Sequence, residues 1–96
     1  MDDELLKICK NALKEAIGNS IESFEITLLD FCPKSNKFTV AIEVKVGEKT
    51  YILHSCKKTL QQVTDDLVSK YNGIAFCYSQ GSLRKAREMI ERYFMQ

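Results

Sequence analysis

The chain has 96 residues, of which 45% are hydrophobic, and its 14 basic and 13 acidic side chains leave a net charge of +1. These values are typical of one globular domain, so we expect a single domain over residues 1–96. The small net charge excludes a strong field from the whole molecule, and any affinity for nucleic acid would depend on a local basic patch. No apolar stretch reaches about 20 residues, and the N-terminus is acidic rather than basic. We therefore expect an intracellular protein, cytoplasmic or nuclear, with no membrane insertion.

The N-terminal segment has the pattern of an amphipathic helix. Acidic residues at positions 2–4 suit the positive end of a helix, and Gly18 followed by Asn19 is a stop signal. The apolar residues that recur at helical spacing are Leu5, Leu6, Cys9, Leu13, Ala16 and Ile17. The pattern predicts a helix over residues 2–17.

An alternation with a period of two follows this helix. Phe24, Ile26 and Leu28 alternate with polar residues, and the segment ends between Asp30 and Pro33. Residues 38–46 alternate most regularly, and a turn at residues 47–49 leads into residues 50–55. The pattern predicts an antiparallel meander of three strands with one face solvated.

The C-terminal part has helical spacing again, with two interruptions. Thr59 with Gln62 fits a capping box, and the helix that it begins is predicted to run to Tyr71. Asn72 and Gly73 are helix breakers, residues 74–78 form a short apolar run, and a last helix is marked by Leu83, Ala86, Ile90, Tyr93 and Phe94. The predicted class is α+β, with an αβββα core at residues 2–71 in which a three-stranded antiparallel sheet packs on two helices. An appended strand and helix occupy residues 72–96.

The four cysteines fall in four different predicted elements and form no closely spaced pair. Such spacing does not suit a disulfide scaffold or a structural zinc site, although His54 and Cys56 share one face of a strand. We therefore predict reduced thiols that are buried as small hydrophobes, with no metal and no cofactor. The alternative is a zinc site that gathers all four cysteines, or three of them with His54, from across the fold.

Enzyme signatures are sparse. Asp30 with Glu43 and Lys45 resembles the acidic and lysine motif of the PD-(D/E)XK nucleases, whose core order is also αβββαβ. Strand alternation explains Glu43 and Lys45 equally, since both would lie on the solvent face. The sequence contains no phosphate-binding or nucleophile motif, and the prediction is that the protein is not an enzyme.

Two groups of lysines stand where an anion would bind. Lys57 and Lys58 precede the second helix, whose N-terminal N–H groups and dipole favour a phosphate. Lys34 and Lys37 lie in the loop between the first two strands. The alternative is that both groups are ordinary surface lysines, as we infer for the basic residues of the last helix, which are interleaved with Glu88 and Glu91.

The segment from Phe24 to Tyr71 resembles a divergent double-stranded RNA-binding domain. The similarity lies in residues 33–40, in Val44 to Gly47, in Tyr51, and in the paired lysines Lys57 and Lys58. With the first helix included, the resemblance covers residues 2–71. It implies an αβββα fold and recognition of duplex RNA by shape.

The resemblance also implies which residues contact RNA. Lys57 and Lys58 would meet the phosphates across the major groove, and Lys34 and Ser35 would enter one minor groove. The polar side of the first helix would face the other minor groove through Lys7, Lys10, Asn11 and Lys14.

A second function remains open. The absence of a histidine after Pro33, the small net charge and the C-terminal extension favour a protein-interaction or dimerisation module that uses residues 74–94. We expect double-stranded or structured RNA as the partner, and a protein partner or homodimer as the alternative.

Overall fold

A computed structural model of the protein describes residues 3–94. Its elements are α1 (Asp3–Gly18), β1 (Phe24–Cys32), β2 (Lys37–Val46), β3 (Lys49–Lys57) and α2 (Leu60–Phe94). The strands form one antiparallel sheet in the order β1-β2-β3, and both helices pack against the sheet and against each other. The predicted α+β class and αβββα order are therefore confirmed.

The core lies between the two helices and one face of the sheet. Along β2, the residues from Val40 to Val46 that point toward the helices are buried. Ile17 and Ile21 close the hydrophobic core near the start of β1. Fully buried side chains from all these elements are Leu13, Ile17, Ile21, Val40, Ile42, Val44, Val63 and Leu67.

A β-bulge in β1 changes which side chains are buried. The pairing with β2 shifts between Ile26 and Leu28, so that Thr27 is the extra residue. Thr27 donates a hydrogen bond from Oγ1 to the carbonyl of Ala41 at 3.3 Å. Because one inserted residue reverses the faces beyond it, Leu28 turns to the outer face and is 46% exposed. The simple alternation predicted Leu28 on the same face as Phe24 and Ile26, and this was wrong.

The C-terminal elements also differ from the prediction. Residues 74–78 are helical rather than a strand, and Asn72 with Gly73 does not interrupt α2, which continues to Phe94. A glycine inside a helix costs about 1 kcal/mol, and Ile74, which packs against the core one residue later, offsets that cost. The appended strand is therefore absent, and the appended helix is the second half of α2.

This continuous helix extends past the sheet. Its 35 residues span about 52 Å at 1.5 Å per residue, whereas a strand of ten residues spans about 33 Å. The radius of gyration is 17.9 Å, compared with about 12 Å for a compact chain of this length. We call residues 79–94 the arm.

Short-range features at the ends of the elements follow the sequence. Thr59 caps α2, because its Oγ1 accepts a hydrogen bond from the Gln62 N–H at 3.1 Å. Gly47 has a φ of +65° in the two-residue turn between β2 and β3, where a positive φ favours glycine.

The cysteines are distributed as predicted but are less buried. Cys9 is half-buried, whereas Cys32, Cys56 and Cys77 are exposed, so the predicted burial was wrong for these three. All four are free thiols in four different elements. Neither helix in residues 3–94 has an apolar stretch long enough to cross a membrane.

Candidate nucleic-acid interface

The sheet topology brings two lysine-bearing segments to one end of the sheet. The β1–β2 loop comprises residues 33–36, and the β3–α2 junction follows Lys57. Phe38, near the start of β2, pairs with Phe31 on one side and with Lys57 on the other. Since neighbouring strands lie about 4.8 Å apart, the strands that lead into these segments are only about 10 Å apart. We call this the loop end of the sheet.

The β3–α2 junction exposes both of its lysines. Lys57 is the last residue of β3, Lys58 follows it, and α2 begins at Leu60, so both lysines stand at the positive end of the helix. A hydrogen-bond cluster holds this helix against β3. Ser55 donates to Asp66 Oδ2 at 2.7 Å, and Lys70 contacts the same oxygen at 3.1 Å.

Asp66 is the acidic member of this cluster, and its neighbours favour the ionised carboxylate. The hydrogen bond from Ser55 lowers the pKa of the Asp66 carboxyl, and contacts with Lys70 and the charge of Lys57 act in the same direction. Partial burial opposes them. Lys70 also donates to the carbonyl oxygen of His54 on β3. The orientation of α2 relative to β3 at the junction is therefore set by the contacts of Ser55, Asp66 and Lys70, which lie outside the junction.

The β1–β2 loop is a tight turn whose hydrogen bonds lower the pKa of the thiol that precedes it. The Asn36 N–H donates to the Cys32 carbonyl at 2.8 Å, and Asn36 has a φ of +56°. The Ser35 hydroxyl lowers the pKa of the Cys32 thiol, and backbone hydrogen bonds from Ser35 and Lys34 add to this effect. Ser35 is thus engaged within the loop, while the Lys34 side chain is exposed.

An aromatic pair supports the loop from the core side. The rings of Phe31 and Phe38 lie across the β1–β2 pair with centroids 4.9 Å apart. Both side chains are half-buried. They fix the two strand ends from which the loop projects.

The lysines of α1 form a separate stripe. Lys7, Lys10 and Lys14 lie three or four residues apart, Asn11 follows Lys10, and all four are exposed. Lys7 and Lys10 line a shallow groove against Thr27 and Leu28 at the bulge of β1. The stripe therefore follows the β1 side of the molecule, whereas the other lysines lie at the loop end.

The acidic residues considered for catalysis lie apart. Asp30 pairs with Thr39, which is four residues from Glu43 along β2, a separation of about 13 Å. Both face away from the helices. Within residues 3–94, no cluster of three or more histidine, cysteine or acidic residues could hold a metal ion.

Sequence reasoning missed the Ser55 to Asp66 contact and the Cys32 to Ser35 contact. The first joins residues in different elements, and its only local signal was the spacing of Asp66 and Lys70 at i and i+4. The second depends on the conformation of a loop, for which the sequence offers no periodic pattern.

Comparisons of the chain with family models, with curated proteins and with solved structures found no match.

Proposed function

We propose that this protein is a non-catalytic module that binds double-stranded RNA through shape and phosphate contacts. The observation that carries the proposal is that the β1–β2 loop with Lys34 and the β3–α2 junction with Lys57 and Lys58 both lie at the loop end of the αβββα domain. Two exposed basic segments at the loop end suit a ligand with regularly spaced backbone charges.

The chemistry of duplex RNA fits this arrangement. Its deep, narrow major groove hides the bases, so proteins contact 2′-hydroxyls in the minor grooves and the phosphates between them. Lys57 and Lys58 bind phosphates at the helix N-terminus, where the dipole adds to their charge. Lys34 approaches one minor groove from the loop, and the Ser35 hydroxyl takes part once it leaves Cys32.

The α1 stripe supplies the second minor-groove contact in this proposal. Lys7, Lys10, Asn11 and Lys14 are exposed together, and no acidic side chain lies among these four. Because the stripe lies on the β1 side, a duplex that contacts all three segments must cross the loop end obliquely. Removing the α1 lysines should then weaken binding of long duplexes more than that of duplexes too short to span both sites.

A titration tests the proposal. Fluorescence anisotropy should be measured with duplex RNA, duplex DNA of the same sequence and single-stranded RNA, each at two salt concentrations. We expect duplex RNA to bind at least several-fold tighter than duplex DNA, because DNA lacks the 2′-hydroxyls. Equal affinity for all three ligands would contradict the proposal.

A second candidate function is protein interaction or dimerisation through residues 74–94. The observation that favours it is the arm, which extends beyond the sheet, with Phe76 at its base 64% exposed. Most of the stability of a helix in a protein comes from tertiary packing, so a helix that extends beyond its own sheet suits a partner. The side chains of Leu83, Ile90, Tyr93 and Phe94, which the sequence also assigned to this surface, lie outside the described residues.

Sedimentation equilibrium over a wide concentration range tests this candidate. A reversible dimer is expected if it is correct. A protein that binds duplex RNA and stays monomeric at every concentration would favour the first function alone.

A further inference from the structure

An apolar groove lies between α2 and the β2–β3 hairpin and encloses about 1050 Å³. Its apolar lining residues are Val46, Tyr51, Leu53, Ile74, Cys77 and Tyr78. The charged residues on its lining are the lysines Lys49, Lys70 and Lys85 and one acid, Glu48. We call it the α2 groove. An apolar floor with a mainly basic rim suits an amphipathic helix that carries acidic residues.

Such a helix surface is present in the same chain. Leu5 and Ile8 lie three residues apart on α1 and are 49% and 63% exposed. Glu4 and Glu15 fall on the same side of the helix and are exposed. We call these four residues the α1 flank. The flank and the lysine stripe of α1 lie on opposite sides of its core-facing residues.

We propose that the α2 groove receives the α1 flank of a second copy of the chain, and that the contact is reciprocal. A helical ridge of two apolar side chains fits a groove between a helix and a hairpin, and Glu15 of the flank carries the charge opposite to that of Lys49 and Lys85 on the rim. The proposal deepens the second candidate function, because it names the partner and the surfaces of the dimer.

Other exposed surfaces of the described residues fit the groove less well. Leu28 and Ile52 lie on the outer face of the sheet, which is too flat to enter a groove. Among the described side chains of the arm, one exposed residue is acidic, Glu88, and four are basic, namely Arg84, Lys85, Arg87 and Arg92. The arm would therefore meet the lysine rim with like charge.

The positions of the two surfaces allow a closed dimer. The α2 groove lies at the end of the sheet opposite the loop end, where the β2–β3 turn joins Val46 to Lys49. The C-terminus of α1 leads into the start of β1 at that same end, so Leu5 and Ile8, on the first half of α1, lie toward the loop end, whereas Glu15 lies on the second half. Two copies packed antiparallel can make both contacts about one two-fold axis.

Three single variants test the proposal by sedimentation equilibrium. Ile8→Glu places a charge on the α1 flank, and Cys77→Glu places one on the floor of the α2 groove. Each should weaken the dimer at least tenfold. Ile52→Glu is the matched control, since Ile52 is also exposed, at 57%, but lies on the outer face of the sheet. It should leave the dissociation constant unchanged.

Mixing experiments identify reciprocal contacts. An Ile8→Glu chain retains an intact groove, and a Cys77→Glu chain retains an intact flank, so their mixture can form one of the two contacts. The mixture should associate more strongly than either variant alone. Circular dichroism should show that all variants keep their helix content.

The outcomes separate this pairing from dimerisation in general. A wild-type protein that stays monomeric overturns the proposal and the second candidate function together. A dimer that Ile8→Glu leaves intact while Phe76→Glu disrupts it overturns the pairing but keeps dimerisation. Duplex RNA titrations of the same variants report on the RNA-binding function separately.

Discussion

Tyr78 of α2 packs its ring against Gly47 in the β2–β3 turn. A Cβ atom on Gly47 would lie 2.5 Å from Tyr78 Cε2 and 2.7 Å from Cζ. The contact joins the hairpin to α2 at the base of the arm, where the helix leaves the sheet. It also explains why the chain has its smallest residue at this turn, in addition to the positive φ.

Gly47→Ala should lower the free energy of unfolding by about 1–2 kcal/mol, because a non-glycine residue with φ near +65° is strained. The displaced Tyr78 ring should add a smaller cost, which would be absent in a Tyr78→Ala background. Urea denaturation of the four proteins in this cycle measures both effects. Gly73→Ala is the control: it lies in α2 with open space around its Cα, and should stabilise by about 0.5–1 kcal/mol. Equal effects at positions 47 and 73 would contradict the structure of the turn.

Asp66 should make stability depend on pH in the acidic range. Its pKa is lowered in the folded state, chiefly by the Ser55 hydrogen bond. The stabilisation is therefore complete above the unfolded-state pKa of about 3.9, and is lost as the pH falls through the lower folded-state pKa. Asp66→Asn should cost about 1–2 kcal/mol at pH 7, and should flatten the pH dependence below about pH 4.

Asp65→Asn provides the comparison for this prediction. Asp65 is the neighbouring, exposed acid, and its partner is Gln61 within the same helix. Thermal unfolding from pH 7 to pH 2 should show a steeper loss of stability for Asp65→Asn than for Asp66→Asn. Identical profiles would mean that the Ser55 to Asp66 contact does not stabilise the folded state.

Cys32 should be alkylated faster in the wild-type protein than in Ser35→Ala. The Ser35 hydroxyl is the first cause of the lowered pKa of the Cys32 thiol, and the thiolate is the reactive form. The difference should be largest near neutral pH and should vanish in strong alkali, where both proteins carry the thiolate. Mass spectrometry of iodoacetamide adducts measures the rate, with the exposed Cys77 of the same molecule as the internal reference. A faster reaction in Ser35→Ala would contradict the loop geometry.

Removing Lys57 and Lys58 should weaken the binding of duplex RNA. Each lysine that neutralises a phosphate releases counterions, so Lys57→Ala with Lys58→Ala should lower the slope of log affinity against log salt by about one to two units. The loss should be similar for every RNA sequence, since phosphates carry no sequence information. Anisotropy titrations over a salt series measure the slope.

The control removes the same amount of charge elsewhere. Arg84 and Arg87 are exposed on the arm, away from the loop end. Arg84→Ala with Arg87→Ala should change the slope little. If both double variants weaken binding alike, the effect is one of net charge, and the proposed RNA interface is wrong.

The candidate site was only partly accessible from the sequence. Lys57 and Lys58 could be placed before the second helix because Thr59 and Gln62 form a local capping pattern, and Lys34 could be placed in a loop because Pro33 ends the strand. That these two segments share one end of the sheet follows from the antiparallel order of the strands. The engagement of Ser35 with Cys32 depends on backbone dihedral angles within the loop, for which no repeating pattern exists.

The order of the elements as far as the start of α2, with the β2–β3 hairpin among them, could be read from the sequence alone, because each has a signal within a few residues of the chain. The tertiary structure decided the rest. The bulge at Thr27 depends on the pairing of β1 with β2, and the continuity of α2 past Gly73 depends on Ile74, whose contacts with the core outweigh a local preference to break. Local preferences amount to about 1 kcal/mol per residue. Fully burying one large apolar side chain contributes about 1.5–3 kcal/mol, so the partly buried Ile74, together with its partly buried neighbours Val68 and Tyr71, outweighs one glycine. Where the two disagreed in this chain, the long-range contact prevailed.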